Sequence, residues 1–133
     1  MEQNHNMQTK SRPKYLELLT LAPKMAITAK VSILHRLTGF LLFLSVPFIL
    51  YVLHQSLTNQ DFYTSLYGVV STPIIKIIYL LFLFVFMYHM CAGVRYLFLD
   101  IHKGVEFKTA KKTAWATIVI SVLLTIIVGG LIW

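Results

Sequence analysis

The apolar residues of this 133-residue chain fall into three long blocks separated by shorter polar stretches. Inside each block they run almost without interruption. They show neither the alternation of a half-buried strand nor the single stripe of a surface helix. A helix that is apolar all round belongs in a large core or a membrane. Crossing a hydrocarbon core takes about 20 such residues. Three blocks are long enough, near 32–54, 73–98 and 114–133. The pattern predicts an all-α integral membrane bundle of three transmembrane helices over residues 32–133, preceded by an arm over residues 1–31.

Composition agrees: 57% of residues are hydrophobic and 13% charged, against about 25% charged in a soluble domain. The net charge of +7 raises the question of nucleic acid. The basic residues, however, flank apolar spans instead of forming a patch interleaved with aromatics, so membrane topology accounts for them. Lys10, Arg12, Lys14, Lys24, Lys30 and Arg36 lie at the start of the chain. Arg95, Lys103, Lys108, Lys111 and Lys112 surround the second connection. The first connection, 55–72, carries no basic residue. Lys76 lies just inside the second span, where its stem lets the ammonium snorkel outward. The positive-inside rule then predicts a cytoplasmic N-terminus, a cytoplasmic second connection and an outer C-terminus.

The ends of the spans fit this layout. Pro73 suits the first turn of a helix. Trp115 and Trp133 are 18 residues apart, about 27 Å of helix, which places one indole at each interface. Pro47 falls in mid-span, where a kink is expected. Thr117, Ser121, Thr125 and Gly129 recur every fourth residue as a small-residue stripe suited to close helix packing. Residues 13–30 mix apolar and basic residues with two prolines and read as an interfacial arm. The N-terminus does not read as a signal peptide, and it lacks the Arg- and Ser-rich character of a mitochondrial transit peptide. The expected location is a bacterial cytoplasmic (inner) membrane, ahead of a mitochondrial inner membrane. Cys91, the only cysteine, permits no internal disulfide.

Soluble-enzyme signals are absent: no Gly-rich phosphate loop, no paired-cysteine zinc spacing, no Ser/His/Asp set. Histidines and arginines at the membrane carry what chemistry there is, because an ionisable residue inside a span is costly and points to function. His89 is about ten residues from the cytoplasmic end of its span, hence about 15 Å deep. It has two readings: a core histidine bonded to a neighbouring helix, or a neutral imidazole bound to haem iron. Gly93, four residues on, shares its face and would leave room for a flat macrocycle. A second axial nitrogen would have to lie about 4 Å from the first, given metal–nitrogen bonds near 2 Å. His35, near the cytoplasmic edge, and His54, at the outer end, are each expected about 10 Å or more away along the membrane normal. A second protein ligand is therefore expected from another chain.

Ser32, His35, Arg36 and Gly39 share one helix face. Together they offer a hydroxyl, an imidazole and a fixed cation. The set could bind a haem propionate, or hydrogen-bond a quinone carbonyl and supply its protons. The plainer alternative makes Arg36 a topological anchor and His35 an interface residue. Arg95 could likewise be an anchor, or could meet a propionate or a lipid phosphate. Asp100 could pair with a cation or serve a proton path.

The run Ser32-Ile33-Leu34-His35-Arg36-Leu37-Thr38-Gly39 resembles the signature of the cytochrome b anchor subunits of succinate dehydrogenase, respiratory complex II. The pattern His89-x-x-x-Gly93-x-Arg95, followed by Leu97 and Asp100, resembles the same family. So do the three-span layout, the basic arm near Arg12-Pro13 and the C-terminal tryptophan. The resemblance implies one of two small membrane anchors that hold the flavoprotein and iron–sulfur subunits on the cytoplasmic face. It implies haem b, with His89 as one axial ligand and the second anchor supplying the other. Ser32 and Arg36 match positions at the ubiquinone site, and His35 a position near the propionates, where Arg36 and Arg95 would add charge. One departure is visible: the family often has histidine after the second arginine, where this chain has Tyr96.

Three rival readings remain at this level. A fumarate reductase anchor would run the same electron path towards fumarate. A cofactor-free structural anchor would not depend on His89. A small transporter subunit is disfavoured, since no pair of broken helices marks a midplane site.

Overall fold

The computed structural model describes residues 24–132. Within them the chain forms four helices: α1 (Ile27–Thr58), α2 (Gln60–Val70), α3 (Pro73–Asp100) and α4 (Phe107–Ile132). Three of these, α1, α3 and α4, are long and apolar enough to cross a membrane. Each spanning helix outruns its apolar block. α1 starts five residues before position 32, and α4 starts seven before position 114. The extra turns contain Lys30, Lys108, Lys111 and Lys112. Lysine is a good helix former, and its stem carries the charge out of the hydrocarbon. Hydropathy therefore marks the edge of the apolar layer, not the end of the helix. Of the arm predicted over 1–31, residues 27–31 belong to α1, and residues 1–23 lie outside the described residues, as does Trp133.

The helix ends follow from local chemistry. Asn59 closes α1 with its backbone N–H on the Gln55 carbonyl, 2.9 Å, and opens α2 by accepting from the Phe62 N–H on its side chain, 3.0 Å. Pro73 opens α3, as anticipated. At the other end of α3 the His102 N–H bonds to Leu99 O and the Lys103 N–H to Phe98 O. His102 has φ 59°, so this is a Schellman closure with histidine in the left-handed position that glycine usually takes. Pro47 lies within α1, which is one continuous helix.

The short helix α2 was not anticipated; 55–72 read only as a connection. Its signal was present in the order of residues. At about 100° per residue, Gln60, Asp61, Thr64, Ser65 and Gly68 fall on one side, and the remaining residues are apolar or aromatic.

The spans pack with few large side chains between them. The small core holds Val31, Tyr88, Ala92 and Ala114. The predicted stripe on α4 packs inward: Thr117, Ser121 and Gly129 are buried. Its hydroxyls bond back along their own helix, Thr117 to Thr113 O, Ser121 to Ile118 O and Thr125 to Ser121 O. That leaves a smooth, locally satisfied surface for α3 to approach. Large apolar side chains point outward instead, among them Phe43 at 72% and Leu131 at 82% exposure. Such a surface would aggregate in water; three spanning helices with this pattern make the chain a multi-pass membrane protein.

Candidate functional site

Helices α1 and α3 run antiparallel, so the start of α1 lies beside the end of α3. Their crossing brings together the two histidines that sequence spacing had set apart. The His35 and His89 rings stack, with centroids 4.3 Å apart and planes 11° from parallel. The expected axial offset of about 10 Å is thus wrong for His35. That offset assumed a helix starting near residue 32. With α1 starting at Ile27, His35 is eight residues into its helix, and His89 is eleven from the end of α3. At 1.5 Å per residue those depths differ by only about 4 Å.

The stack is keyed by two glycines. A Cβ on Gly39 would meet His89 Cε1 at 2.8 Å, and one on Gly93 would meet His35 Nε2 at 3.6 Å. Each glycine receives the ring of the opposite helix. Gly93, expected to clear space for a macrocycle, here faces His35. Hydrogen bonds fix the His89 ring. Its Nδ1 lies 3.1 Å from the His35 carbonyl oxygen and 3.3 Å from Thr38 Oγ1. Thr38 donates back along α1, to Leu34 O or His35 O. A carbonyl only accepts, so Nδ1 carries the proton. In the neutral ring this leaves the lone pair on His89 Nε2, which has no hydrogen-bond partner among the described residues. An imidazole held through Nδ1–H to a carbonyl is the form that ligates a transition metal.

This tests the fit of haem iron. His89 can offer one nitrogen. His35 cannot offer the other in this geometry, because the lone pair of an imidazole lies in its ring plane and the two planes are near parallel. Among the described residues there is also no group of three His, Cys, Asp or Glu side chains able to hold a metal ion. The arrangement can offer a haem iron one nitrogen, from His89.

Around the stack, Tyr96 lies 5.1 Å from the His35 ring. Its buried hydroxyl has no hydrogen-bond partner among the described residues. A buried hydroxyl left unpaired costs about 1–3 kcal/mol, so this is a donor waiting for an acceptor. From the sequence Tyr96 reads as a packing residue and as a departure from the family pattern, not as a hydrogen-bonding group. Tyr88 bonds from its hydroxyl to the Val31 carbonyl, 3.1 Å, which pins α3 to the first turns of α1.

Ser32 and His35 are half-buried on one face of α1, and Arg36 beside them is exposed. Neither Ser32 nor Arg36 spends its side chain on a hydrogen bond to another described residue. Arg95 is turned away from this face. Its Nε donates to Thr113 Oγ1, 3.1 Å, and Nη2 to the Ala110 carbonyl, 3.3 Å, both on α4. Its guanidinium carbon lies 5.3 Å from the Tyr96 ring centre. Asp100, the last residue of α3, is exposed. His54 is near the far end of α1 and joins no part of the site.

Fold and site define a small multi-span membrane subunit with a half-buried histidine pair at a helix crossing. The chain is also similar to known proteins over nearly its whole length. The family model described as "Succinate dehydrogenase/Fumarate reductase transmembrane subunit" matches residues 8–128. A succinate dehydrogenase cytochrome b556 subunit of Rickettsia prowazekii is 36% identical, over 78% of this chain and 81% of the relative. One from Coxiella burnetii is 30% identical over 92% and 97%. A cytochrome b560 subunit of Reclinomonas americana is 34% identical over 78% and 76%. The chain belongs to the succinate dehydrogenase/fumarate reductase transmembrane subunit family.

Proposed function

We propose that this chain is the cytochrome b anchor of a succinate:ubiquinone oxidoreductase in a bacterial inner membrane. It would share one haem b with a second membrane anchor and hold the iron–sulfur and flavoprotein subunits at the end of the bundle that carries the basic connection. The observation that carries the reading is His89: Nδ1 anchored on the His35 carbonyl, Nε2 uncommitted. The relatives named for cytochrome b support it.

In this reading His89 Nε2 would hold the haem iron, and the partner anchor would supply a second ligand. Haem b, when bound, would supply one-electron chemistry. His35 stacks on His89 and offers an imidazole N–H to a propionate, and Arg36 offers a charge-assisted bond to the same carboxylate or to the quinone. Ser32, whose hydroxyl has no hydrogen-bond partner among the described residues, would hydrogen-bond a ubiquinone carbonyl. Arg36 places positive charge where reduction makes that oxygen negative. Arg95 acts from behind, holding Tyr96 and the end of α3 in place. Asp100 sits at the bundle end where protons would enter. The chain itself does no chemistry on succinate.

The test is a reduced-minus-oxidised absorbance spectrum of the complex purified through a tag on this chain, with succinate as reductant. A b-type haem signal accompanied by flavin and iron–sulfur subunits is the expected result. A complex without haem would leave a structural anchor. Reduction by a low-potential quinol in preference to succinate would favour the fumarate reductase alternative.

A further inference from the structure

A cleft of about 490 Å³ separates α3 and α4 at the end of the bundle that holds their connection. Met90, Val94 and Phe98 form one wall, Ala116 and Ile120 the other, and Arg95 and Lys103 also line it. Arg95 is only 8% exposed. Both of its hydrogen bonds go to neutral oxygens, and no described carboxylate pairs with it. A cation so nearly buried against apolar walls is costly unless an anion completes it. Its remaining N–H groups and the Lys103 ammonium form a two-cation head to an apolar slot. The surrounding segment, residues 95–112, holds five basic residues against two acidic ones. Basic pockets of this kind between spanning helices attract anionic lipid headgroups.

The occupant follows from where the cleft faces. At about 100° per residue, the row Met90, Val94 and Phe98 is centred about a third of a turn around α3 from the row His89, Gly93 and Tyr96. A partner anchor that reaches His89 approaches on that other side, so the cleft is left to the bilayer; this step rests on the haem reading above. We propose that the α3–α4 cleft holds an anionic phospholipid, its phosphate on Arg95 and Lys103 and an acyl chain along Met90, Val94 and Phe98. Arginine pairs with phosphate through two parallel N–H bonds, and the apolar walls extend about 12 Å from Phe98 to Met90.

The experiment is native mass spectrometry of the whole complex, delipidated in mild detergent and then given phosphatidylglycerol or phosphatidylcholine. Retention of phosphatidylglycerol well above phosphatidylcholine is expected. Lys103→Gln should weaken that retention roughly fivefold, and Ala116→Phe, which fills the cleft, should abolish it. In both variants the haem spectrum and subunit composition should be those of the parent. Equal retention of the two lipids, or no response to either variant, overturns the proposal. So does loss of the partner anchor in Ala116→Phe with phosphatidylglycerol unaffected by Lys103→Gln, since that would put protein in the cleft. A parent complex that lacks haem but shows the lipid result would sink the haem reading alone.

Discussion

The His89 ring lies flat on the His35 ring, 4.3 Å away, and its Nδ1 is bonded to the backbone carbonyl of that same residue. Two helices are thus joined by one residue acting twice, through its side chain and through its main chain. The two contacts differ in what a mutation can remove.

In the haem reading, replacing His89 removes the nitrogen proposed to hold the iron. Replacing His35 by leucine removes the stacked ring but leaves the carbonyl that orients His89. His89→Leu should abolish the b-type haem spectrum. His35→Leu should retain haem with a shifted midpoint potential. Redox titration of both variants checks this, and equal loss in the two would mean that the ring of His35, not its carbonyl, positions the ligand.

The two glycines should respond unequally to alanine. At Gly39 the new methyl would lie 2.8 Å from His89 Cε1, whereas at Gly93 it would lie 3.6 Å from His35 Nε2, an ordinary contact. Overpacking costs about 1–3 kcal/mol. Gly39→Ala should therefore lower haem occupancy and thermal stability, with Gly93→Ala nearly silent. A large effect at Gly93 would instead indicate that another group already fills that notch.

Ser32 and Arg36 share one face of α1, and neither side chain bonds to another described residue. Ser32→Ala and Arg36→Leu should slow succinate-dependent ubiquinone reduction by about tenfold or more, the effect of losing a hydrogen bond or charge worth 1.5–3 kcal/mol. Electron transfer from succinate to a water-soluble dye should be unchanged. Normal quinone kinetics in Arg36→Leu would remove these residues from the quinone site.

Gly129 tests the packing of α3 on α4. A Cβ there would fall 2.5 Å from Leu80 Cδ2. Leucine can turn aside from a methyl group but not from a branched side chain. Gly129→Ile should lower the melting temperature of the complex by several degrees, through about 2 kcal/mol of overpacking. Gly130→Ile has open space around the site and should not.

Much of this protein could be read from its order of residues. The spans, the opening of α3 at Pro73 and the small-residue stripe of α4 depend on local composition and helical periodicity, which act along a single segment. The amphipathic order of α2 was legible too and was passed over. Registry between segments was not legible. Whether His35 meets His89 depends on where α1 begins and how far α3 slides along it, and Tyr88 on Val31 and the Gly39 notch set that slide. Hydropathy cannot report it, because sliding two apolar helices past each other leaves every residue as apolar as before. The direction of Arg95 was equally out of reach. Its partners, Thr113 and Ala110, lie on another helix, and only the tertiary packing decides that a cation at the end of α3 faces α4 and not the histidines.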